Sequence, residues 1–270
     1  MKSIQLGIVG AGNMASALVR GLIVSGRLSP AQIRVSDVSP AQCQTLQQAH
    51  GVQSADTTPA LAAWANVVLV AVKPQVVPSI LPDLAAAYRA EQLILSIAAG
   101  VATQVFAGAL APGARVVRAM PNTPALVLEG VTALAPGEHA TEADLALARN
   151  IFDAVGATVV LDEPQMDAVT GLSGSGPAYV MLVVEALADG GVRMGLKRET
   201  ALALAARTLY GSAKLLLESG EHPAALKDKV ASPGGTTIAG LCALERHGAR
   251  NAFIEAVTAA TQRSSELGQR

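Results

Sequence analysis

The chain has 270 residues and a mass of 27.4 kDa, room for two domains at about one per 150 residues, and its 51% apolar share supplies a large core. With 20 Lys and Arg against 21 Asp and Glu, the net charge of −1 excludes the basic field that nucleic-acid binding needs. Two distant cysteines, Cys43 and Cys242, exclude a disulfide scaffold and a zinc knuckle.

The chain enters a strand-like run at residues 4–9, with no signal-peptide core, so a cytoplasmic protein is expected. The longest apolar runs, 67–72 and 180–184, fall far short of the ~20 residues a membrane span requires. Further short, β-branched runs occur at 33–35, 93–97, 116–119, 131–134 and 158–161. Near-continuous apolar strands of this kind are buried on both faces of a mainly parallel sheet. Helical segments follow several of them. Residues 14–24 come after a glycine turn, 40–48 follow Ser39 with Pro40 at the first helical position, and 141–155 start on Thr141 with Glu142 and Asp144 in the first turn.

After about residue 162 the strand pattern stops. Helical segments are predicted at 163–171, 176–191, 197–219, 223–230, 236–247 and 250–267. The expected fold is therefore α/β: an N-terminal Rossmann-type doubly wound sheet over 1–162, then an all-helical domain over 163–270. So many apolar helix faces on so short a tail need a partner to cover them, and self-association through this half follows.

Two ends of the chain carry chemistry. Gly10-Ala11-Gly12-Asn13-Met14-Ala15 lies between the first strand and the first helix. Its glycines allow a tight turn and close approach to a pyrophosphate, which the helix N-terminus then attracts; a purely structural turn is the alternative. The second strand ends at Asp37, where a carboxylate accepts from an adenosine ribose and repels a 2′-phosphate; alone, it favours NAD(H) over NADP(H), and a solvated turn residue is the alternative. Ala71-Val72-Lys73-Pro74 and Ile97-Ala98-Ala99-Gly100 end later strands, where ligands of open α/β sheets gather. In the second half, Ser173-Gly174-Ser175-Gly176-Pro177 and Ser232-Pro233-Gly234-Gly235-Thr236-Thr237 read as small-residue turns before helices, able to present N–H groups to a carboxylate or simply to cap a helix.

Together with Met120-Pro121-Asn122-Thr123-Pro124 and the run from Asp167 to Tyr179, these segments resemble the pyrroline-5-carboxylate reductase family over nearly the whole chain. The resemblance implies a helical dimerisation domain with interlaced partners, assembled as a homodimer or a decamer. It also implies hydride transfer from NADP(H) or NAD(H) to 1-pyrroline-5-carboxylate, giving L-proline. By position it assigns the cofactor to Val9, Gly10, Ala11, Gly12, Asn13, Met14, Thr58, Ala71, Val72, Lys73, Pro74, Ile97, Ala98 and Ala99, beside Asp37. It assigns the substrate carboxylate to Ser232, Gly235 and Thr236, the ring nitrogen to Thr237 as the catalytic residue, and a further substrate contact to Glu163. An imine needs no nucleophile, and Thr237 orients the ring and donates a hydrogen bond to it rather than serving as the bulk proton supply; delivery through a water is equally consistent.

Two positions depart from many relatives: Asp37, where small polar residues are common, and Lys229, where some carry Asn. The four histidines, Trp64 and both cysteines read as packing or surface residues, and Tyr179 as partly core. A β-hydroxyacid-type dehydrogenase is disfavoured because no Lys follows Gly176-Pro177-Ala178. A nucleotide-sensing module remains the non-enzymatic alternative.

Overall fold

The apolar runs of the first half become β1 (Leu6–Val9), β2 (Ile33–Ser36), β4 (Val67–Val70), β5 (Leu93–Ser96), β6 (Arg115–Met120), β7 (Gly130–Pro136) and β8 (Gly156–Val160) in a computed structural model that describes residues 4–268. A two-residue β3 (Gln53–Ser54), not predicted, adds the edge. Both its residues are exposed, so it carries no apolar signal. The order is β3-β2-β1-β4-β5-β6-β7-β8, and all neighbours pair parallel except β6 with β7.

Alternation along the strands sends side chains into two buried layers. Leu6, Ile8, Leu69 and Leu95 pack with Leu18 and Leu22 of α1 (Asn13–Val24) and with Ile151 and Phe152 of α6 (Glu142–Phe152). On the other side, Val9, Val68, Val70 and Ile94 pack with Leu61 of α3 (Thr58–Trp64), Leu84 of α4 (Val77–Ala87) and Phe106 of α5 (Thr103–Ala109). The doubly wound sheet is thus covered on both faces. The helix α2 (Pro40–His50) follows β2, with Pro40 in its first turn as expected. Thr141 caps α6 in a reciprocal box with Asp144.

The second half is helical: α7 (Met166–Val169), α8 (Gly176–Arg193), α9 (Arg198–Ser219), α10 (Pro223–Lys229), α11 (Thr236–Arg246) and α12 (Ala249–Gly268). By packing, the chain divides into two compact units. One runs through Gly174 and takes in the chain from Ala260 onwards; the other is Ser175–Ala259. The first unit includes α7 because Met166 is fully buried against Ala133 and Ala135 of β7. It includes the end of α12, where Ser264 Oγ donates to Asp167 Oδ1 at 2.7 Å.

The second unit has a small interior of its own. Its buried cluster consists of Ala188, Ala201 and Ala205. Met181, Leu182, Leu187, Leu204, Leu215 and Leu217 all stand exposed. An apolar surface of that extent is the mark of an interface rather than of a finished exterior.

One expectation is corrected. Residues 173–177 are expected to form a small-residue turn, but 170–174 form a π-helical turn that follows α7 directly and α8 already starts at Gly176, with Thr170 Oγ1 and Ser173 Oγ donating back to the Met166 and Val169 carbonyls at 2.9 and 3.1 Å. Glycine and serine were read as breakers here, but they fit within a widened helical turn. As a result Glu163–Arg193 runs on as one helical stretch, long and apolar enough, by length and composition alone, to cross a membrane.

Candidate active site

The carboxyl ends of β1, β2, β4 and β5 meet along one edge, and backbone hydrogen bonds tie the expected cofactor residues together there. Ala71 N–H donates to the Val9 carbonyl at 2.8 Å, Ile97 to Val70 at 3.0 Å and Gly10 to Ser36 at 2.7 Å. Gly10 has φ +103°, and a Cβ on it would lie 2.6 Å from the Ala71 carbonyl oxygen. The β1–α1 turn and the end of β4 can approach this closely only because position 10 is glycine. Gly12 is the N-cap of α1. No side chain caps it, no acidic residue lies in the first turn, and a Cβ there would meet open space. An open cradle of backbone ahead of a helix N-terminus fits a dinucleotide pyrophosphate.

Asp37 is the pin of this loop. Its Oδ2 accepts from Ala11 N–H at 2.8 Å and its Oδ1 from Ser39 N–H at 2.8 Å. One carboxylate therefore joins the glycine loop to the β2–α2 turn, a role that the ribose-acceptor expectation did not include. Beside it, between α2 and the ends of β2 and β3, opens a cavity of about 400 Å³ whose lining includes Asp37, Cys43, Gln44, Gln47 and Asp56. Burial pushes the Cys43 thiol up, and the Asp37 charge adds to the shift, so the thiol stays neutral. Lys73 and Pro74 are exposed at the end of β4, and Ala99 is exposed after β5. Thr58 opens α3 half-buried, its neighbour Thr57 accepting from Ala60 N–H as the cap.

In the second unit, the 232–237 loop leads into α11. Gly235 N–H donates to the Ser232 carbonyl at 3.0 Å, with Pro233 and Gly234 (φ +68°) at the two central positions. That is the sequence and dihedral pattern of a type II turn. A Cβ on Gly235 would collide with Ser232 Oγ, so the hydroxyl lies directly over the glycine. Gly235 is the N-cap of α11, without a side-chain cap or an acidic residue in the first turn. Thr236 is exposed and Thr237 half-buried in that turn. Hydroxyls at an uncapped helix start present donors to a carboxylate.

A family model for pyrroline-5-carboxylate reductase dimerisation matches residues 163–267, and one for NADP oxidoreductase, coenzyme F420-dependent, matches 5–100. The pyrroline-5-carboxylate reductase of Methanosarcina acetivorans is 46% identical over 270 residues, covering 100% of both chains. That of Escherichia coli is 42% identical, covering 98% of both. Among solved structures, the pyrroline-5-carboxylate reductase of Coxiella burnetii superposes with a TM-score of 0.93 at 36% identity, covering 98% of this chain and 99% of the other. The Plasmodium falciparum enzyme, solved with NADP bound, gives 0.87 at 31% identity and 99% coverage of each. The chain belongs to the pyrroline-5-carboxylate reductase family. It is an NAD(P)-dependent oxidoreductase that reduces 1-pyrroline-5-carboxylate to L-proline.

Several side chains singled out in the sequence have structural partners. Glu163 accepts from Thr103 N–H at 2.7 Å and from Thr103 Oγ1 at 2.6 Å, and lies 3.5 Å from the Arg118 guanidinium. It thereby caps α5 and neutralises an arginine that is 6% exposed. Lys229 Nζ donates to both carboxylate oxygens of Glu221, at 2.6 and 2.7 Å. Asn122 spans two segments, its Oδ1 accepting from Val131 N–H at 3.0 Å and its Nδ2 donating to the Ser173 carbonyl at 3.2 Å. Tyr179 Oη donates to the Ala256 carbonyl at 3.3 Å. Arg118 and Asp56 were both missed. Asp56 follows β3 and would have stood out once that strand was recognised beside β2.

Removing the Glu163 carboxylate leaves a buried guanidinium uncompensated and the start of α5 uncapped. Glu163→Ala is expected to lower stability by about 3 kcal/mol in urea melts, and Glu163→Gln by less. A Glu163→Ala variant of native stability with a raised KM for the imine would instead make Glu163 a substrate ligand.

Proposed function

We propose that the two halves of the sequence divide the reaction as the family assignment of residues implies. The glycine loop from Val9 to Met14, with Asp37, Thr58, Ala71 to Pro74 and Ile97 to Ala99, holds the dinucleotide. Ser232, Gly235 and Thr236 hold the substrate carboxylate at the start of α11. Thr237 bonds the ring nitrogen and keeps the C=N carbon in register. When bound, the reduced nicotinamide supplies the hydride to that carbon. In this scheme residues 1–162 are the dinucleotide-binding part and 163–270 the dimerisation and substrate-binding part.

The observation that carries the assignment is the pair of uncapped, acid-free helix starts that have glycine at the N-cap, Gly12 and Gly235. One follows the Gly10–Gly12 turn and the other follows the turn from Ser232 to Gly235. Each is preorganised for an anion, one for a pyrophosphate and one for a carboxylate. The test is to mix the protein with reduced nicotinamide dinucleotide and 1-pyrroline-5-carboxylate and follow cofactor absorbance. Steady loss with formation of proline supports the assignment. No loss with either cofactor leaves a dinucleotide-binding module.

The same proposal includes a homodimer, or a decamer of five such dimers, in the cytoplasm and without nucleic-acid or membrane partners. The exposed apolar residues of α8 and α9 support it, since a second copy gives Met181, Leu182 and Leu204 a place to be buried. The apolar stretch Glu163–Arg193 is read as part of that interface. Light scattering is expected to give at least twice the 27.4 kDa chain mass. Leu182→Glu with Leu204→Glu should move the mass towards the monomer and lower the melting temperature. A monomeric wild type would end the proposal.

A further inference from the structure

The cavity between α2 and the ends of β2 and β3 lies where the glycine loop, held by Asp37, turns towards the adenosine half of a dinucleotide. Two of its lining residues are acidic, Asp37 and Asp56, and none of them is lysine, arginine or histidine. The Asp37 carboxylate cannot swing aside without losing its bonds to Ala11 and Ser39, both 2.8 Å. The residue after it, Val38, is fully exposed and supplies no cation to the turn. Arg34, on the same strand, is held elsewhere: its guanidinium sits 4.4 Å from the Trp64 ring centroid and Nε donates to Gln53 Oε1 at 3.1 Å.

A ribose with a free 2′-hydroxyl can donate to these carboxylates. A 2′-phosphate brings up to two negative charges to the same place and finds no cation in the lining, only the neutral donors Gln44, Gln47 and Ser54. We infer that Asp37 and Asp56 together make this enzyme selective for NADH over NADPH, with Asp56 as the second, independent determinant. The inference rests on the dinucleotide-binding role proposed for the glycine loop.

Cofactor binding without substrate is the cleanest test, because it separates selectivity from turnover. Nicotinamide fluorescence titrations of the full-length protein are expected to give a Kd for NADPH about tenfold or more above that for NADH. Asp56→Asn, which leaves the glycine loop untouched, should shrink that ratio by about threefold or more, and so should Asp37→Asn. Loss of the loop tie in Asp37→Asn weakens both cofactors alike, so it cancels in the ratio. Raising the salt to ~1 M should also narrow the ratio, since the repulsion is screened.

An NADPH affinity equal to or above that for NADH overturns the inference. So does a ratio that neither substitution moves. Binding of NADH with the expected selectivity, but no reduction of the imine, sinks the proposed reaction and leaves the selectivity standing. Failure to bind either cofactor removes both.

Discussion

Gly10→Ala is expected to cost the protein both stability and its cofactor. At φ +103° an L-residue is strained by about 1–3 kcal/mol. The new methyl would also lie 2.6 Å from the Ala71 carbonyl oxygen and 2.9 Å from its carbon, both backbone atoms that cannot rotate away. Relief requires the glycine loop to lift from the end of β4, at a further cost of about 1–3 kcal/mol. Lifting displaces Ala11, whose N–H is one of the two bonds that fix Asp37. The midpoint of urea unfolding should fall, and NADH titration should show affinity reduced by at least about tenfold. Gly12→Ala makes the control. Its methyl would enter open space, so stability should hold while affinity falls, because that space lies over the N-terminus of α1. Native cofactor affinity in Gly10→Ala would mean that the loop does not hold the dinucleotide.

The glycine loop was legible because all its determinants are local: an apolar strand, two glycines and a helix start within a dozen residues. The tail loop was legible for the same reason, since Pro233 and Gly234 dictate the turn that Ser232 and Gly235 close. What escaped was built by residues far apart in sequence. Asp37 reaches Ala11 across 26 positions and Glu163 reaches Thr103 across 60, so neither tie has a sequence signature. α4 was hidden by Pro78 and Pro82, which read as breakers, although Pro78 lies in its first turn, where no N–H is needed. α3 and α5 are seven residues each, too short for an apolar period to declare itself. The exposed face of the tail was anticipated from composition, because apolar helix faces without enough chain to cover them must be covered by another molecule.

Thr237→Ala is expected to lower kcat by about 100-fold or more while leaving the NADH dissociation constant unchanged. The physical argument turns on what a threonine hydroxyl can do. Its own acidity is too low to deliver a proton at neutral pH, so its contribution is a hydrogen bond to the ring nitrogen that fixes the imine plane. Thr237 sits half-buried in the first turn of α11, where the helix holds its backbone and leaves the side chain little freedom. Thr237→Ser keeps the hydroxyl and should recover most of the turnover, whereas Thr237→Val keeps the shape and should not. If the carboxylate is gripped separately by Ser232, Gly235 and Thr236, KM for the imine should change little in Thr237→Ala. Ser232→Ala, which removes the hydroxyl lying over Gly235, should instead raise KM and spare kcat. A Thr237→Val enzyme with native turnover would show that the nitrogen is held by some other group, and would leave α11 with the carboxylate alone.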